Sequence, residues 1–164
     1  MTFDLHSAMP ENMEKSFLDI ELHEAKEEDL DQLVMIRIAA MRESLEKVGR
    51  FDAARARARL TEDFQTKNTK CFIYKTKIIG FIISKRENEE IVINHLYVLP
   101  EFQNRGIGKF ILDKIIEQGK NERRNIRLMA LKESRANNFY LKHGFKYLSS
   151  IEFDNVYIKE WSAH

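Results

Sequence analysis

The sequence is poor in residues that staple, break or bend a chain, with one cysteine, two prolines and six glycines among 164 residues. A single thiol, Cys71, can assemble neither an intramolecular disulfide framework nor a cysteine-based zinc site, so a reducing compartment, the cytoplasm, is expected and a metal is not. The scarcity of Gly and Pro excludes collagen-like and Pro/Gly-rich disordered chains. Charge of one sign is missing too. With 27 Lys and Arg against 26 Asp and Glu, the net charge of +1 is too balanced for capture of nucleic acid or membrane by the whole protein, and neither is expected as a partner. No uninterrupted apolar run is long enough to span a bilayer. Residues 1–17 lack the basic start and apolar core of a signal peptide, because Asp4, His6, Glu11 and Glu14 interrupt them.

What is present is the material of one ordinary domain, 43% hydrophobic and long enough to bury roughly 70% of its unfolded surface. Residues 1–16 read as a leader, either flexible or docked late, and 17–164 as a single domain. Residues 18–24 alternate apolar and polar side chains, the period of a half-buried strand. Glu27, Glu28 and Asp29 then supply the negative charge favoured at a helix start, and apolar residues recur at helical spacing up to Val48, where Gly49 ends the run. Asp52 is a candidate N-cap for a second helix through Phe64. Strands are expected over 71–75, 78–84 and 91–98, rich in Ile, Val, Phe and Tyr. Gly106 and Gly108 open a helix that Gly119 closes, and 126–131 is a further strand. Ser134 is a candidate cap for a short helix ending at His143 and Gly144, and strands over 145–148 and 151–158 flank a Ser149-Ser150 turn. The order implies an α/β fold with a mixed sheet: about seven strands, mostly antiparallel, one parallel pair joined by a right-handed crossover, and four helices.

Chemistry concentrates at Gln103-Asn104-Arg105-Gly106-Ile107-Gly108-Lys109, where that crossover begins. Glycines let backbone approach a ligand closely, and the first turn of the following helix offers unpaired N–H groups and a positive dipole end, an anion site suited to a pyrophosphate. The plain alternative is a glycine turn tightening a strand-to-helix corner. The dinucleotide fingerprint and the P-loop are both excluded by spacing, since Ile111, Gln103 and Phe110 stand where those motifs need other residues.

Two segments together resemble the GNAT superfamily of N-acetyltransferases. The stretch from His95 through Gly108 resembles its acyl-CoA signature, Gln/Arg-x-x-Gly-x-Gly/Ala, and Phe139-Tyr140-Leu141-Lys142-His143-Gly144-Phe145 resembles its aromatic-Tyr-x-x-x-Gly-Phe segment. The element order matches that family from residue 18 to about Trp161. The resemblance implies acetyl-CoA as co-substrate. Its pyrophosphate would lie on the backbone at Gln103, Asn104, Arg105, Gly106, Ile107, Gly108 and Lys109, and its pantetheine arm would pair with main-chain groups of Leu96, Tyr97 and Val98 where the parallel strands splay. The Val98 N–H would polarise the thioester carbonyl. Many members carry a cofactor-contacting asparagine seven residues before the tyrosine, where this chain has Glu133; either Asn137 or Asn138 substitutes or one contact is missing.

Tyr140 is the candidate acid for the leaving thiolate, against a reading as a packed aromatic. His95 is the candidate base, with a pKa near the working range; strand alternation puts it on one face with Ile91, Ile93 and Tyr97, where it could equally be packed. Glu101 and Glu43 are carboxylate rivals. In the family the first two helices set specificity. Here Arg55 and Arg59 share one helix face and Arg57 lies on another, so the arginines are either a solvated surface or, through Arg42 or Arg55, a grip on an anionic acceptor. The expected activity is direct acetyl transfer to a primary amine of a small molecule or peptide, by a monomer or homodimer. The alternative is an acyl-CoA-binding sensor without turnover.

Overall fold

In a computed structural model, which describes residues 19–162, the acidic triplet Glu27–Asp29 forms one 3-10 turn whose Asp29 carboxylate accepts the Lys26 N–H at 2.8 Å. Helix α1, Leu30–Lys47, follows directly and ends before Gly49, whose φ of 69° turns the chain. Asp52 caps α2, Ala53–Asp63, by accepting the Arg55 N–H at 3.1 Å. The leader expected over 1–16 lies outside the described residues.

Seven strands form one sheet: β1 Glu21–Glu24, β2 Thr69–Tyr74, β3 Lys77–Glu87, β4 Glu90–Val98, β5 Asn125–Leu131, β6 Lys146–Ile151 and β7 Asp154–Lys159. Their spatial order is β1-β2-β3-β4-β5-β7-β6, and only β4 and β5 run parallel. Helices α3, Ile107–Glu122, and α4, Ala136–Lys142, complete the mixed fold that the sequence implies. Among the described residues no helix is long and apolar enough to cross a membrane.

Four local expectations are corrected. Strand β1 is an edge strand with all four residues exposed, so its alternation does not bury one face. Helix α3 runs past Gly119, because its cap is Arg123 in the left-handed region at φ 56°, with its N–H on the carbonyls of Gly119 and Lys120. Ser134 is not the cap of α4: Arg135 holds that position without a side-chain cap, and the Ser134 carbonyl accepts the Asn137 N–H at 3.4 Å in the turn before it. Finally, the last hairpin turns at Glu152 and Phe153 rather than at Ser149-Ser150; those serines sit in the exposed edge strand β6, where polar residues cost nothing.

The two sheet faces carry separate cores. Ile91, Ile93, Leu96 and Val98 of β4 pack with Ile107, Ile111 and Leu112 of α3 and Phe139 of α4. On the other face Phe81 and Ile83 of β3, with Cys71 of β2, pack against Leu33, Val34 and Ile36 of α1 and Leu60 of α2. Cys71 is a core residue, its thiol pushed up to about 11 by burial. Each fully buried Leu, Ile or Phe contributes roughly 1.5–3 kcal/mol.

Strand β4 changes faces midway. Ile83 pairs with His95 and Ser84 with Ile93, so Asn94 has no residue opposite it. This two-against-one bulge resets the alternation, which corrects the expectation that His95 and Tyr97 share a face with Ile91 and Ile93. His95 and Tyr97 stand instead beside Ile83 and Phe81, on the α1 and α2 face.

Gly80 holds the far end of this ladder. A Cβ there would lie 2.5 Å from the Tyr97 carbonyl oxygen and 2.7 Å from the Phe72 ring, so β4 or Phe72 would have to move. Gly80→Ala is expected to destabilise the fold by about 1–3 kcal/mol, as overpacking does. Chemical denaturation measures this, and an unchanged midpoint would contradict the close approach.

Candidate functional site

The parallel pairing of β4 with β5 ends at Ile93 and Leu128, one residue before the bulge. Beyond it, residues 95–98 pair only with β3 and residues 129–131 only with β7. The gap between the diverging strands is a cavity of about 190 Å³, lined by residues 93–98 and 128–131, by Phe139 and Tyr140 of α4, and by Gln103.

Gln103 ties the loop to the end of β4, its side-chain Nε2 donating to the Val98 carbonyl at 2.9 Å. Asn104 at φ 61° and Gly106 at φ 80° then swing the chain into α3, whose first helical bond runs from the Phe110 N–H to the Gly106 carbonyl at 2.9 Å. The N–H groups of Ile107, Gly108 and Lys109 precede that bond and point out of the helix start, the geometry of an anion cradle. The nearby cations are partly occupied: Lys109 pairs with Asp113 at 2.8 Å, and the Arg105 guanidinium lies over the Phe102 ring at 5.3 Å. The donor set present fits a pyrophosphate, and the free strand edge fits an extended amide arm.

A second cavity of about 110 Å³ opens on the α1 and α2 side, lined among others by Arg37, Arg55, Arg59 and Asp63. Both cavities are bounded by Asn94, His95, Tyr97, Met41, Met129 and Leu131. The bulge and the residues after it are thus the wall between them.

His95 is 5% exposed and its Nε2 lies 2.8 Å from Asp63 Oδ2. A carboxylate oxygen only accepts, so Nε2 carries the hydrogen and Nδ1 the lone pair. Among the described residues Nδ1 has no hydrogen-bond partner. Burial pulls the His95 pKa down to about 4, with the Arg37 charge pushing the same way and the Asp63 hydrogen bond opposing. The imidazole is neutral at pH 7.

Arg37 is 6% exposed. It donates from Nη1 to the Ala56 carbonyl at 2.9 Å and from Nε to the Tyr97 hydroxyl at 3.4 Å, and makes no ion pair among the described residues. Tyr140, 7% exposed, packs among Phe139, Phe145 and Tyr157, and burial, reinforced by Tyr97, raises its pKa, so the phenol keeps its proton.

The remaining sequence candidates separate. Asn137 is bonded within the fold. Its Nδ2 donates to the carbonyls of Leu131 and Ser134, both at 2.9 Å, and its Oδ1 accepts from Asn155 at 2.9 Å and the Tyr157 hydroxyl at 2.7 Å, which exhausts the amide. Glu43 is exposed on the cavity rim beside Lys47, and Glu101 sits exposed in the turn after β4. Arg42 pairs with Glu46 and stacks on Phe51, outside both cavities. Arg57 pairs with Asp31 at 2.8 Å, leaving Arg55 and Arg59 as the arginines of α2 that face the second cavity. Sequence reasoning missed Arg37 and Asp63. Their signal was position, since Arg37 falls four residues from both Leu33 and Met41, and Asp63 three from Leu60, on apolar stripes where a charge is out of place. Among the described residues no cluster of three or more His, Cys, Asp or Glu is placed to hold a metal ion.

Residues 39–158 match the acetyltransferase (GNAT) domain family, so the chain belongs to the GNAT acetyltransferase family. Solved structures share the fold. The PaiA N-acetyltransferase of Thermoplasma acidophilum, crystallised with coenzyme A, is 20% identical over 86% of this chain and 98% of its own, with a TM-score of 0.71. An acetyltransferase from Thermus thermophilus is 16% identical, covering 88% of this chain and 99% of its own, also at 0.71. The ribosomal-protein-S18-alanine N-acetyltransferase of Escherichia coli is 15% identical, covering 85% and 90%, at 0.59. No curated protein matches the sequence closely enough to count as a relative.

The buried imidazole has a consequence for stability. Unfolded, His95 titrates near 6.5; folded, near 4. Between those values the unfolded chain binds a proton that the folded one excludes, so His95 lowers stability as pH falls from about 6.5 to about 4 and has no effect above it. His95→Gln is expected to lose less stability than wild type over that window. Superimposable pH profiles of thermal midpoint, after offset, would contradict a buried neutral imidazole.

Proposed function

We propose that the protein transfers the acetyl group of acetyl-CoA to a primary amine of a small molecule or peptide, by direct attack within a ternary complex. The observation that carries this reading is the meeting of two cavities at His95 and Tyr97, one running along the free β4 edge to Gln103 of the glycine loop, the other reaching Arg55 and Arg59 of α2. A thioester held along the first meets an amine held in the second.

In this reading acetyl-CoA supplies the activated acyl carbon. The α3 N–H groups, with the loop from Gln103 to Lys109, hold the pyrophosphate, and the main chain of Leu96, Tyr97 and Val98 orients the arm and stabilises the carbonyl oxygen as it gains charge. Nδ1 of His95 accepts the proton that the attacking amine gives up, and Asp63 fixes the ring so that Nδ1 is the free nitrogen. A C–N bond forms and the C–S bond breaks. Tyr140, kept protonated by burial, donates to the leaving sulfur.

Thiol release on mixing the protein with acetyl-CoA and an amine panel tests the reaction. Acetyl-CoA binding without thiol release from any amine would favour a sensor and overturn the enzyme. Tyr140→Phe, which keeps the ring packing, is expected to slow single turnover by about 10²-fold or more, with little change in acetyl-CoA binding. A wild-type single-turnover rate would return Tyr140 to the role of a packed aromatic.

A further inference from the structure

The second cavity is lined by four arginines and three aspartates, an excess of one positive charge. Seven charged side chains line it, and three are committed elsewhere: Arg50 stacks on Phe153 at 3.6 Å, Asp52 caps α2, and Asp63 holds His95. That leaves the guanidiniums of Arg37, Arg55 and Arg59 facing one carboxylate, Asp154. Two observations set these arginines apart. Arg37 is almost fully buried, and its hydrogen bonds go to neutral acceptors, the Ala56 carbonyl and the Tyr97 hydroxyl, with no ion pair to a carboxylate among the described residues. Burying a charge this way is costly unless a counter-charge arrives. Arg55 and Arg59 make no ion pair among the described residues, whereas Arg57, on the opposite face of the same helix, is paired with Asp31.

We propose that the acceptor amine also carries a carboxylate, which seats against Arg37, Arg55 and Arg59 while the amine reaches His95. This rests on the acetyl-transfer reading and names the substrate class of that site. The planar guanidinium fork suits a carboxylate, and Arg37, held at its Nε and Nη1 ends, is already oriented for the encounter. A diamine of the same length would bring a second positive charge to the same three cations and be disfavoured.

The test is calorimetric binding to the full protein loaded with CoA, using α-amino and ω-amino carboxylates, each with its matched carboxamide and, for 4-aminobutyrate, 1,4-diaminobutane. The carboxylates are expected to bind at least about tenfold tighter than their carboxamides, as when a charged group keeps its hydrogen bonds. Arg55→Gln combined with Arg59→Gln, both exposed and expected to fold, should erase most of that preference, while Arg57→Gln keeps it. Equal binding of carboxylates and carboxamides by wild type, or a preference that survives the double substitution, overturns the proposal. Carboxylate-selective binding without acetyl transfer would instead contradict the reaction and leave the recognition standing.

Discussion

One unpaired residue in β4 organises the site. Asn94 has no partner across the ladder with β3, and the insertion does two things together because a strand's side chains alternate with a period of two. It ends the parallel pairing with β5 at Ile93 and Leu128, so the strands diverge and leave main-chain groups without neighbours. It also turns His95 and Tyr97 toward α1 and α2 while Leu96 and Val98 stay over the core beneath α3 and α4. Without the bulge the strands would stay paired and both polar side chains would point into the wrong layer.

The charges around His95 then act as a set. Burial and the Arg37 guanidinium both hold its pKa low, so at neutral pH the ring is an unprotonated but weak base. A carboxylate seated beside Arg37 would offset that charge and move the pKa of His95 upward, toward the range where proton transfer is efficient. Acceptor recognition and base strength would be coupled through one buried guanidinium. Asp63 contributes orientation as well as charge, because the hydrogen bond it accepts from Nε2 decides which ring nitrogen keeps its lone pair.

Most of the fold was legible in the sequence, since long periodic segments such as 30–47 and 107–122 carry their own signal. The glycine loop and the Phe139-Tyr140 segment were legible for the same reason: close backbone approach and a fixed helix start demand particular residues. The bulge was not, because a run such as Ile91-Val92-Ile93-Asn94-His95 has the same alternation with or without an extra residue, and only the register with β3 reveals it. The bonding of the Asn137 amide was not legible, because its partners are set by strands far away in sequence, here Asn155 and Tyr157. Edge strand β6 misled for a third reason, exposure on all six residues, which removes the apolar pattern that marks a strand.

The central claim is that the divergence of β4 from β5 after Ile93 is where acetyl-CoA binds. Amide hydrogen exchange, read residue by residue with and without acetyl-CoA, addresses it directly. Binding is predicted to slow exchange at Leu96 and Val98, whose N–H groups face away from β3, and at the α3 start, Ile107 to Lys109, while leaving the β6 and β7 hairpin unchanged. Binding that protects the helix start but leaves Leu96 and Val98 exchanging at their free rates would contradict the claim that the splayed edge holds the ligand.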